Sequence, residues 1–252
     1  MPMSKSSLTP EQAGEMVHST MNEAQIQEFE SDKECNFPIQ YEIAGRFRVS
    51  AFYRRNFAGM VLRRIEDFIP SVDDLMFPEV IKTLAMTKRG LIMFVDATGT
   101  GKSTSLASMI GYQNEKSKGH IITIEDPIKY IHEHRGCMVT QREVGVDTPS
   151  FEIALQNTLR KAPDVIMIGE IRSRETMDYA VTFAETVHLC LATLYANNAN
   201  QALDRIINFF PSDRHDQVWM DLSLNLRGMV AQQLVATVDG EGRRAAIEVL
   251  IN

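Results

Sequence analysis

The chain has 252 residues, a formal net charge of -7 at pH 7 and an ordinary globular composition, with 44% hydrophobic and 23% charged residues. The acidic balance disfavours non-specific binding to nucleic acid, and no apolar run reaches the roughly 20 residues that a membrane span needs. Three cysteines, Cys35, Cys137 and Cys190, are odd in number and far apart, which argues against a disulfide framework. We therefore expect a cytoplasmic protein with one large domain or two modest ones.

The first predicted elements form a small α+β unit over residues 1–68. The Thr-Pro-Glu-Gln sequence at 9–12 is typical of a helix start with a capping box, and apolar spacing extends this helix to about residue 29. Two strands joined by a short turn follow, over residues 46–53 and 59–65.

A linker over residues 69–78 leads into a second domain over residues 79–252. Here continuous apolar runs alternate with helix-prone segments, which indicates a mostly parallel α/β sheet covered on both faces. Ligands bind such sheets at the carboxyl ends of the strands. The expected strands cover residues 91–95, 120–124, 164–168 and 189–194, and a late hairpin joins 232–238 to 244–251. The expected helices cover residues 102–117, 150–161, 173–186 and 211–229, and a further hairpin is expected near 136–144.

The most specific motif lies between the first of these strands and the helix that follows it. Residues 96–103 read Asp-Ala-Thr-Gly-Thr-Gly-Lys-Ser, a phosphate-binding loop with Asp96 in place of its first glycine. In such loops backbone N–H groups surround the phosphates, the lysine reaches the β and γ oxygens, and the serine hydroxyl ligates Mg²⁺. We therefore predict nucleotide contacts from Ala97, Thr98, Gly99, Thr100, Gly101, Lys102, Ser103 and Thr104, with Ser103 also on the metal.

Acidic side chains end two later strands. Glu125 and Asp126 follow one apolar run, and Glu170 follows another. The carboxyl ends of parallel strands meet at one edge of a sheet, so we expect these carboxylates beside the loop, where Glu170 can orient the Mg²⁺ shell. Asp164 opens its strand and should lie at the opposite edge. The alternative is that these acids cap helices or lie in solvated turns.

The motifs ATGTGKST, TIEDP, VTQREVG, APDVIMIGEIRSRET and HLCLATLYANNANQALDRIINFFP occur in this order. Over about residues 9–252 the chain resembles the type II/type IV secretion ATPases and, within them, the type IV pilus retraction ATPases. The resemblance implies a RecA-like P-loop NTPase domain after a PAS-like N-terminal domain. It implies ATP and Mg²⁺ as cofactors and a homo-hexameric motor that hydrolyses ATP to drive pilus disassembly in twitching motility.

The same resemblance implies a location and partners. It places the protein in bacteria, at the cytoplasmic face of the inner membrane. The expected partners are further copies of the chain, a pilus inner-membrane platform protein and a paralogous retraction ATPase, and no nucleic acid. Against the family pattern, residues 1–68 are expected to be part of the N-terminal domain, and a helical C-terminal region is absent from the sequence.

Site residues carry over from the family by position. Glu125 and Asp126 belong to its Asp box, Glu170 is the Walker B acid and His188 belongs to its His box. These four are the expected catalytic residues.

For four arginines the sequence leaves two alternative roles open. Arg48 and Arg63 match family arginines that approach the nucleotide phosphates, a role that suits the planar guanidinium fork. The alternative is that both are solvated arginines on a strand face. For Arg172 and Arg174 an intersubunit contact and a helix N-terminus remain equal alternatives.

Four positions within the motifs depart from the family pattern: Asp96 and Val187 replace glycine, Lys129 replaces glutamate and Tyr195 replaces histidine. Asp96 brings a carboxylate near a polyanion, which we expect to weaken binding about tenfold, and removes the backbone freedom of glycine. A β-branched residue at 187 strains a position that needs positive φ. Tyr195 keeps a hydrogen-bond donor but loses a group that becomes cationic near neutral pH.

The substitution at position 129 bears most directly on hydrolysis. The family glutamate positions or deprotonates the attacking water, and an ammonium group cannot accept that proton. Losing a general base costs about 10² to 10⁴ in rate. Alternatively, Lys129 points to solvent and Glu125 or Glu170 positions the water. A nucleotide-binding accessory subunit that is deficient in hydrolysis is therefore the alternative to an active motor.

Overall fold

The computed structural model describes residues 7–65, 68–97, 99–186 and 188–252. The predicted phosphate contact of Thr98 and the substitution at Val187 lie outside the described residues. The chain divides into two compact units, with the boundary between residues 67 and 68. The elements of the first unit are α1 (Pro10–Ser19), α2 (Glu23–Asp32), β1 (Glu34–Tyr41), β2 (Gly45–Arg54) and β3 (Phe57–Arg64).

The N-terminal helix is interrupted, which corrects the prediction that it runs to about residue 29. Between α1 and α2, the Asn22 side chain accepts a hydrogen bond from the Gln25 backbone N–H at 2.9 Å, and the Gln25 side chain accepts one from the Asn22 N–H at 2.9 Å. This capping box starts a new helix where apolar spacing alone predicted continuation.

The first unit has an antiparallel sheet in the order β1-β2-β3. The predicted turn between β2 and β3 is present, because Arg55 and Asn56 both have positive φ, 52° and 66°, as a two-residue hairpin requires. Strand β1 was not predicted, since it contains Pro38, which a strand tolerates at the edge of a sheet. The buried core of the unit consists of Val17, Phe29, Cys35, Phe37, Val49 and Ala51.

The second unit is a seven-stranded sheet with the order β10-β9-β4-β8-β7-β5-β6, in which only β9 and β10 pair antiparallel. Its strands are β4 (Gly90–Val95), β5 (Gly119–Glu125), β6 (Cys137–Glu143), β7 (Val165–Ile168), β8 (Leu189–Leu194), β9 (Leu226–Ala236) and β10 (Arg243–Ile251). Its helices are α3 (Glu79–Ala85), α4 (Lys102–Lys116), α5 (Phe151–Thr158), α6 (Arg174–Glu185), α7 (Ala199–Asn208) and α8 (His215–Asn225), with short 3-10 turns at Leu159–Lys161 and Ser212–Arg214.

Strand β4 shows why the sheet is covered on both faces. Its side chains alternate between two hydrophobic cores, because successive strand residues point to opposite faces. Ile92 and Phe94 pack with residues of α3 and α4, whereas Leu91, Met93 and Val95 pack with residues of α5, α6, α7 and α8. All five are fully buried, so the end of β4 is held in place from both sides.

Two predicted elements of this unit are wrong. The hairpin expected near 136–144 is the single strand β6, which pairs parallel to β5 with Cys137 opposite Gly119. The helix expected to reach residue 229 ends at Asn225, and β9 begins at Leu226. A short apolar run fits a buried strand as well as a helix, so its period alone could not place this boundary.

In the described part of the chain, none of the helices has both the length and the apolar content that crossing a bilayer requires.

Candidate functional site

The carboxyl ends of β4, β5, β7 and β8 converge on one cavity of about 360 Å³. The cavity is lined by loop residues, by acids at the strand ends and by two of the substituted positions. These lining residues include Gly99, Gly101, Lys102, Ser103, Thr104, Glu125, Asp126, Lys129, Glu170 and Tyr195. Parallel pairing thus brings together the loop and the acidic residues, as the sequence predicted. Asp164 lies at the other edge, where its Oδ2 accepts a hydrogen bond from the His120 backbone N–H at 2.8 Å.

Two glycines give the loop its backbone conformation. Gly99 and Gly101 have φ of 84° and 91°, and α4 begins directly after Gly101. A Cβ atom at Gly101 would lie 2.7 Å from Nε2 of Gln232, so a side chain there would displace the end of the Gln232 side chain. Asp96 is not among the described residues with positive φ, so the lost backbone freedom of glycine does not strain this position.

The carboxylate of Asp96 is buried under the loop, with 2% of the residue exposed. Its Oδ1 accepts a hydrogen bond from the Ala97 backbone N–H at 2.5 Å. Its Oδ2 has no hydrogen-bond partner among the described residues. A buried charged oxygen without a partner is destabilising, by about 1–3 kcal/mol or more.

The amine of Lys102 is directed at the loop itself. Its Nζ donates to the backbone oxygen of Asp96 at 2.7 Å and to that of Ala97, and it lies 4.7 Å from the centroid of the Tyr195 ring. Burial lowers the pKa of Lys102, and the Asp96 charge opposes that shift. A phosphate that engages this lysine therefore has to replace the two carbonyl contacts.

The ammonium group of Lys129 contacts the loop serine. Lys129 is exposed, yet its Nζ donates to Ser103 Oγ at 2.9 Å, so the side chain contacts both solvent and the loop. The neighbouring Tyr130 hydroxyl lies 2.7 Å from Thr104 Oγ1, and a hydrogen bond joins the two. Lys129 and Tyr130 thus contact Ser103 and Thr104, respectively, in the first turn of α4.

Arg172 joins the two acidic motifs. Its Nη2 donates to Glu170 Oε2 at 2.7 Å and its Nη1 donates to Asp126 Oδ2 at 3.2 Å. The Glu170 carboxylate raises the pKa of the Arg172 guanidinium further, so this side chain is always charged. Arg174 lies elsewhere, in the first turn of α6, where it pairs with Asp178 at 3.6 Å.

These contacts bear on the predicted Mg²⁺ site. Ser103 Oγ accepts a hydrogen bond from an ammonium group and Glu170 Oε2 accepts one from a guanidinium group. Mg²⁺ needs oxygen ligands in a near-octahedral arrangement, and two positive groups on its two expected ligands repel a further cation. The described side chains therefore do not fit the Mg²⁺ site that the resemblance implies.

Glu125 is a buried carboxylate at the end of β5. Its Oε1 accepts hydrogen bonds from Thr123 Oγ1 at 2.8 Å and from Gln141 Nε2 at 3.2 Å. Burial raises the pKa of the Glu125 carboxyl, although these hydrogen bonds and the Lys129 charge act in the other direction. A Cβ atom at Gly169 would lie 3.1 Å from Glu125 Cα, so glycine lets β7 end close to this acid. A raised pKa suits a group that accepts a proton near neutral pH.

His188, the fourth expected catalytic residue, does not line this cavity. It precedes β8, and its backbone oxygen accepts a hydrogen bond from the Gly90 N–H at the amino end of β4. The cavity lies at the other end of β8, roughly 20 Å away at the usual rise per strand residue. Tyr195, which follows β8, is the His-box residue that lines the cavity.

Arg48 and Arg63 lie in the first unit and face each other directly across β2 and β3. Directly opposed residues of an antiparallel pair share one face of the sheet, with Cβ atoms about 5 Å apart. The two predicted phosphate-binding arginines are therefore brought together on one surface.

Gln232 of β9 was not predicted as a site residue, and its side chain is hydrogen-bonded to the phosphate-binding loop and to the first turn of α4. Its Nε2 donates to the Thr100 backbone oxygen at 2.7 Å, and its Oε1 accepts a hydrogen bond from Ser105 Oγ at 2.6 Å. The side chain is buried, at 2% exposed. No local motif marks it, because its partners are more than a hundred residues away in the chain. A polar residue in a mostly apolar strand is a weak signal here, since the exposed Gln233 next to it has the same side chain.

A largely parallel sheet with helices on both faces and a Gly-Lys-Ser loop between β4 and α4 defines a RecA-like P-loop domain, here accompanied by a small N-terminal domain. Residues 17–250 match the family described as type II/IV secretion system protein. The chain therefore belongs to the type II/IV secretion system protein family.

Individual relatives narrow the comparison. Over 252 residues the chain is 70% identical to the type IV pilus ATPase PilU of Pseudomonas aeruginosa, covering 100% of this chain and 66% of that protein. Over 244 residues it is 39% identical to the type IV pilus retraction ATPase PilT of the same organism, covering 97% and 71%. The chain thus spans about two thirds of the length of these curated relatives.

Solved structures agree with this assignment. A crystal structure of the pilus retraction motor PilT with bound ADP has a TM-score of 0.91 and 42% identity, covering 94% of this chain and 69% of that one. The ATPase DotB of Legionella pneumophila has a TM-score of 0.86 and 28% identity, covering 98% and 70%.

Replacing Gln232 should loosen the loop. In Gln232→Leu the Thr100 carbonyl loses its side-chain partner and the Ser105 hydroxyl keeps, among the described residues, only the Gly101 backbone oxygen, so we expect a loss of about 1–3 kcal/mol in the free energy of unfolding. Urea denaturation measures this loss. The matched control is Gln233→Leu, at the next and exposed position of β9, which should change stability by less than about 0.5 kcal/mol. Equal losses of stability in Gln232→Leu and Gln233→Leu would show that the hydrogen bonds of Gln232 do not stabilise the loop.

Replacing Glu125 should change how stability depends on pH. Because the folded protein raises the pKa of this carboxyl above its ordinary value of 4.5, the folded state holds the proton more tightly, and stability is lost as pH rises from 4.5 towards the raised pKa. The Glu125→Gln protein has no ionisable group at this position, so it does not lose stability in this way as pH rises. We expect its free energy of unfolding to improve relative to the parent as pH rises through this range, whereas Glu133→Gln, at an exposed position, leaves the difference flat. A flat difference for Glu125→Gln would show that burial does not control this group.

Proposed function

We propose that this chain is the ATP-binding part of a motor subunit of a type IV pilus, of the kind that drives pilus retraction and twitching motility. The observation that carries the proposal is the shared cavity, in which Lys102 and Ser103 at the start of α4 face Glu125, Asp126 and Glu170 at the strand ends. The exposed N–H groups of a helix N-terminus and a lysine amine bind phosphate together. Family membership and the names of the relatives give the biological setting.

We assign Arg48 and Arg63 to nucleotide phosphates as well. The two arginines place two permanent positive charges directly opposite one another on one face of the sheet. The guanidinium fork pairs with phosphate oxygens through two parallel hydrogen bonds. The cross-strand pair is thus suited to a polyanion.

The remaining parts of the proposal follow from the family. The protein works as a homo-oligomer, in the form of a hexamer, at the cytoplasmic face of a bacterial inner membrane. Its partners are a platform protein of the pilus base and a paralogous retraction ATPase. Mg²⁺ is left out of the proposal because Ser103 and Glu170 are already bound by positive side chains.

Titration calorimetry of the full chain with ATP tests the binding role. Lys102→Ala removes the amine that reaches the phosphates, so we expect it to weaken ATP binding by about tenfold or more, or roughly 1.4 kcal/mol. The matched control is Lys116→Ala, at the exposed far end of the same helix, which should leave the affinity unchanged. Equal affinities of the parent and Lys102→Ala would contradict the proposed site.

A second function is favoured by one observation, the contact of Lys129 with Ser103. An ammonium group beside the phosphate end of the site cannot take a proton from water. We therefore also propose that the subunit binds nucleotide with little hydrolysis and assists an active motor.

Steady-state phosphate release separates the two functions. We expect the parent to turn over slowly and a double variant, Asp96→Gly with Lys129→Glu, to be faster by about 10² or more. Lys118→Glu makes the same charge change at an exposed position after α4 and serves as the control. Rapid turnover by the parent would rule out the accessory function and leave the active motor.

A further inference from the structure

We propose that the Lys129 ammonium group takes the place of the divalent cation in this site, so that the chain binds the terminal phosphates of a nucleoside triphosphate without Mg²⁺. This inference rests on the proposed nucleotide-binding function and specifies its chemistry. It assigns the counter-charge to a side chain of the protein rather than to a metal ion.

The first support is the position of the ammonium group. Lys129 Nζ lies 2.9 Å from Ser103 Oγ, the oxygen that ligates the metal in a P-loop. A positive group therefore stands at the place where the metal charge would act. An ammonium group is a compact point charge that pairs with phosphate, and a Mg²⁺ ion on the same oxygen would be strongly repelled by it.

The second support is that the acids near the metal position already pair with a cation. The two guanidinium nitrogens of Arg172 are bonded to Glu170 Oε2 at 2.7 Å and to Asp126 Oδ2 at 3.2 Å. The Glu170 side chain is 12% exposed and that of Arg172 is 54% exposed, so the carboxylate is largely shielded from water while the guanidinium is not. The arginine thereby binds the carboxylate that would otherwise hold the metal shell in place.

The third support is that the segment carrying Lys129 is anchored. The Tyr130 hydroxyl is hydrogen-bonded to Thr104 Oγ1 at 2.7 Å, and the Tyr130 backbone oxygen accepts a hydrogen bond from Gln141 Nε2 at 2.9 Å. These contacts tie residue 130 both to the first turn of α4 and to β6. The backbone from which the Lys129 side chain extends is therefore anchored beside the first turn of α4, which reduces the entropy that binding has to overcome.

Calorimetric titration of the full chain with ATP tests the inference, once in millimolar Mg²⁺ and once in excess EDTA. We expect the parent to bind ATP at least as tightly in EDTA as in Mg²⁺, because a Mg²⁺ ion on the free nucleotide has to be displaced before the phosphates reach Lys129. Lys129→Gln, which removes the charge, should lose about tenfold in affinity in EDTA. Lys129→Glu should bind ATP weakly in EDTA and regain affinity in Mg²⁺. Lys118→Glu, with the same charge change outside the cavity, should behave as the parent.

Manganese gives a readout that does not depend on affinity alone. Electron paramagnetic resonance of Mn²⁺ with ATP present should show no protein-bound ion in the parent and one bound ion per chain in Lys129→Glu. Two results would overturn the inference and leave nucleotide binding intact: Mg²⁺-dependent binding of ATP by the parent, or Mg²⁺-independent binding that persists unchanged in Lys129→Gln. No binding of ATP by the parent in either condition would overturn both this inference and the proposed function.

Discussion

The parallel ladder between β4 and β8 holds Val95 opposite Leu194, so the chain leaves both strands at the same edge of the sheet. Both faces of β4 are buried, so the position of the strand is fixed by packing and the loop that follows it starts at a fixed place. The neighbouring parallel pairs bring the ends of β5 and β7 to the same edge. The distances between the loop and the acids thus follow from strand register, which every buried side chain on these strands supports.

Charge then determines what the assembled site can do. Three cationic groups, on Lys102, Lys129 and Arg172, lie close to three carboxylates, on Glu125, Asp126 and Glu170. Relative to the pattern that the family resemblance implies, the substitution at 129 exchanges a negative charge for a positive one beside Ser103. Under the proposed function, the site therefore gains positive charge near the terminal phosphates, and it loses the carboxylate that the resemblance assigns to the attacking water.

Much of this site could be predicted from the sequence because its signals are local. The loop, the two acidic strand ends and the alternation of strands and helices each lie within a few consecutive residues. Contacts between distant segments could not be predicted in this way. Gln232 braces Thr100 from β9, Arg172 joins two motifs on different strands, and the direction of Lys129 depends on the anchoring of Tyr130.

Where the structure differs from the sequence predictions, the cause is again pairing between distant segments. His188 belongs to a motif that spans all of β8, so one end of the motif reaches the cavity while the other lies at the opposite edge of the sheet. The helix predicted through residue 229 failed because an apolar run has no period that separates a buried strand from a helix. Strand pairing, rather than local propensity, determines both the place of His188 in the sheet and the start of β9.

The substitution at Asp96 combines two effects that oppose each other. Its carboxylate repels a bound polyanion, and one of its oxygens is buried without a hydrogen-bond partner among the described residues. The same charge raises the pKa of Lys102 against the effect of burial, and so helps to keep that amine protonated under the loop. A neutral residue at 96 would relieve the repulsion while it removes a counter-charge from the buried lysine. Since Lys129 also lowers the pKa of Lys102, the two substitutions act on the same amine in opposite directions, and their effects on phosphate binding should not be additive.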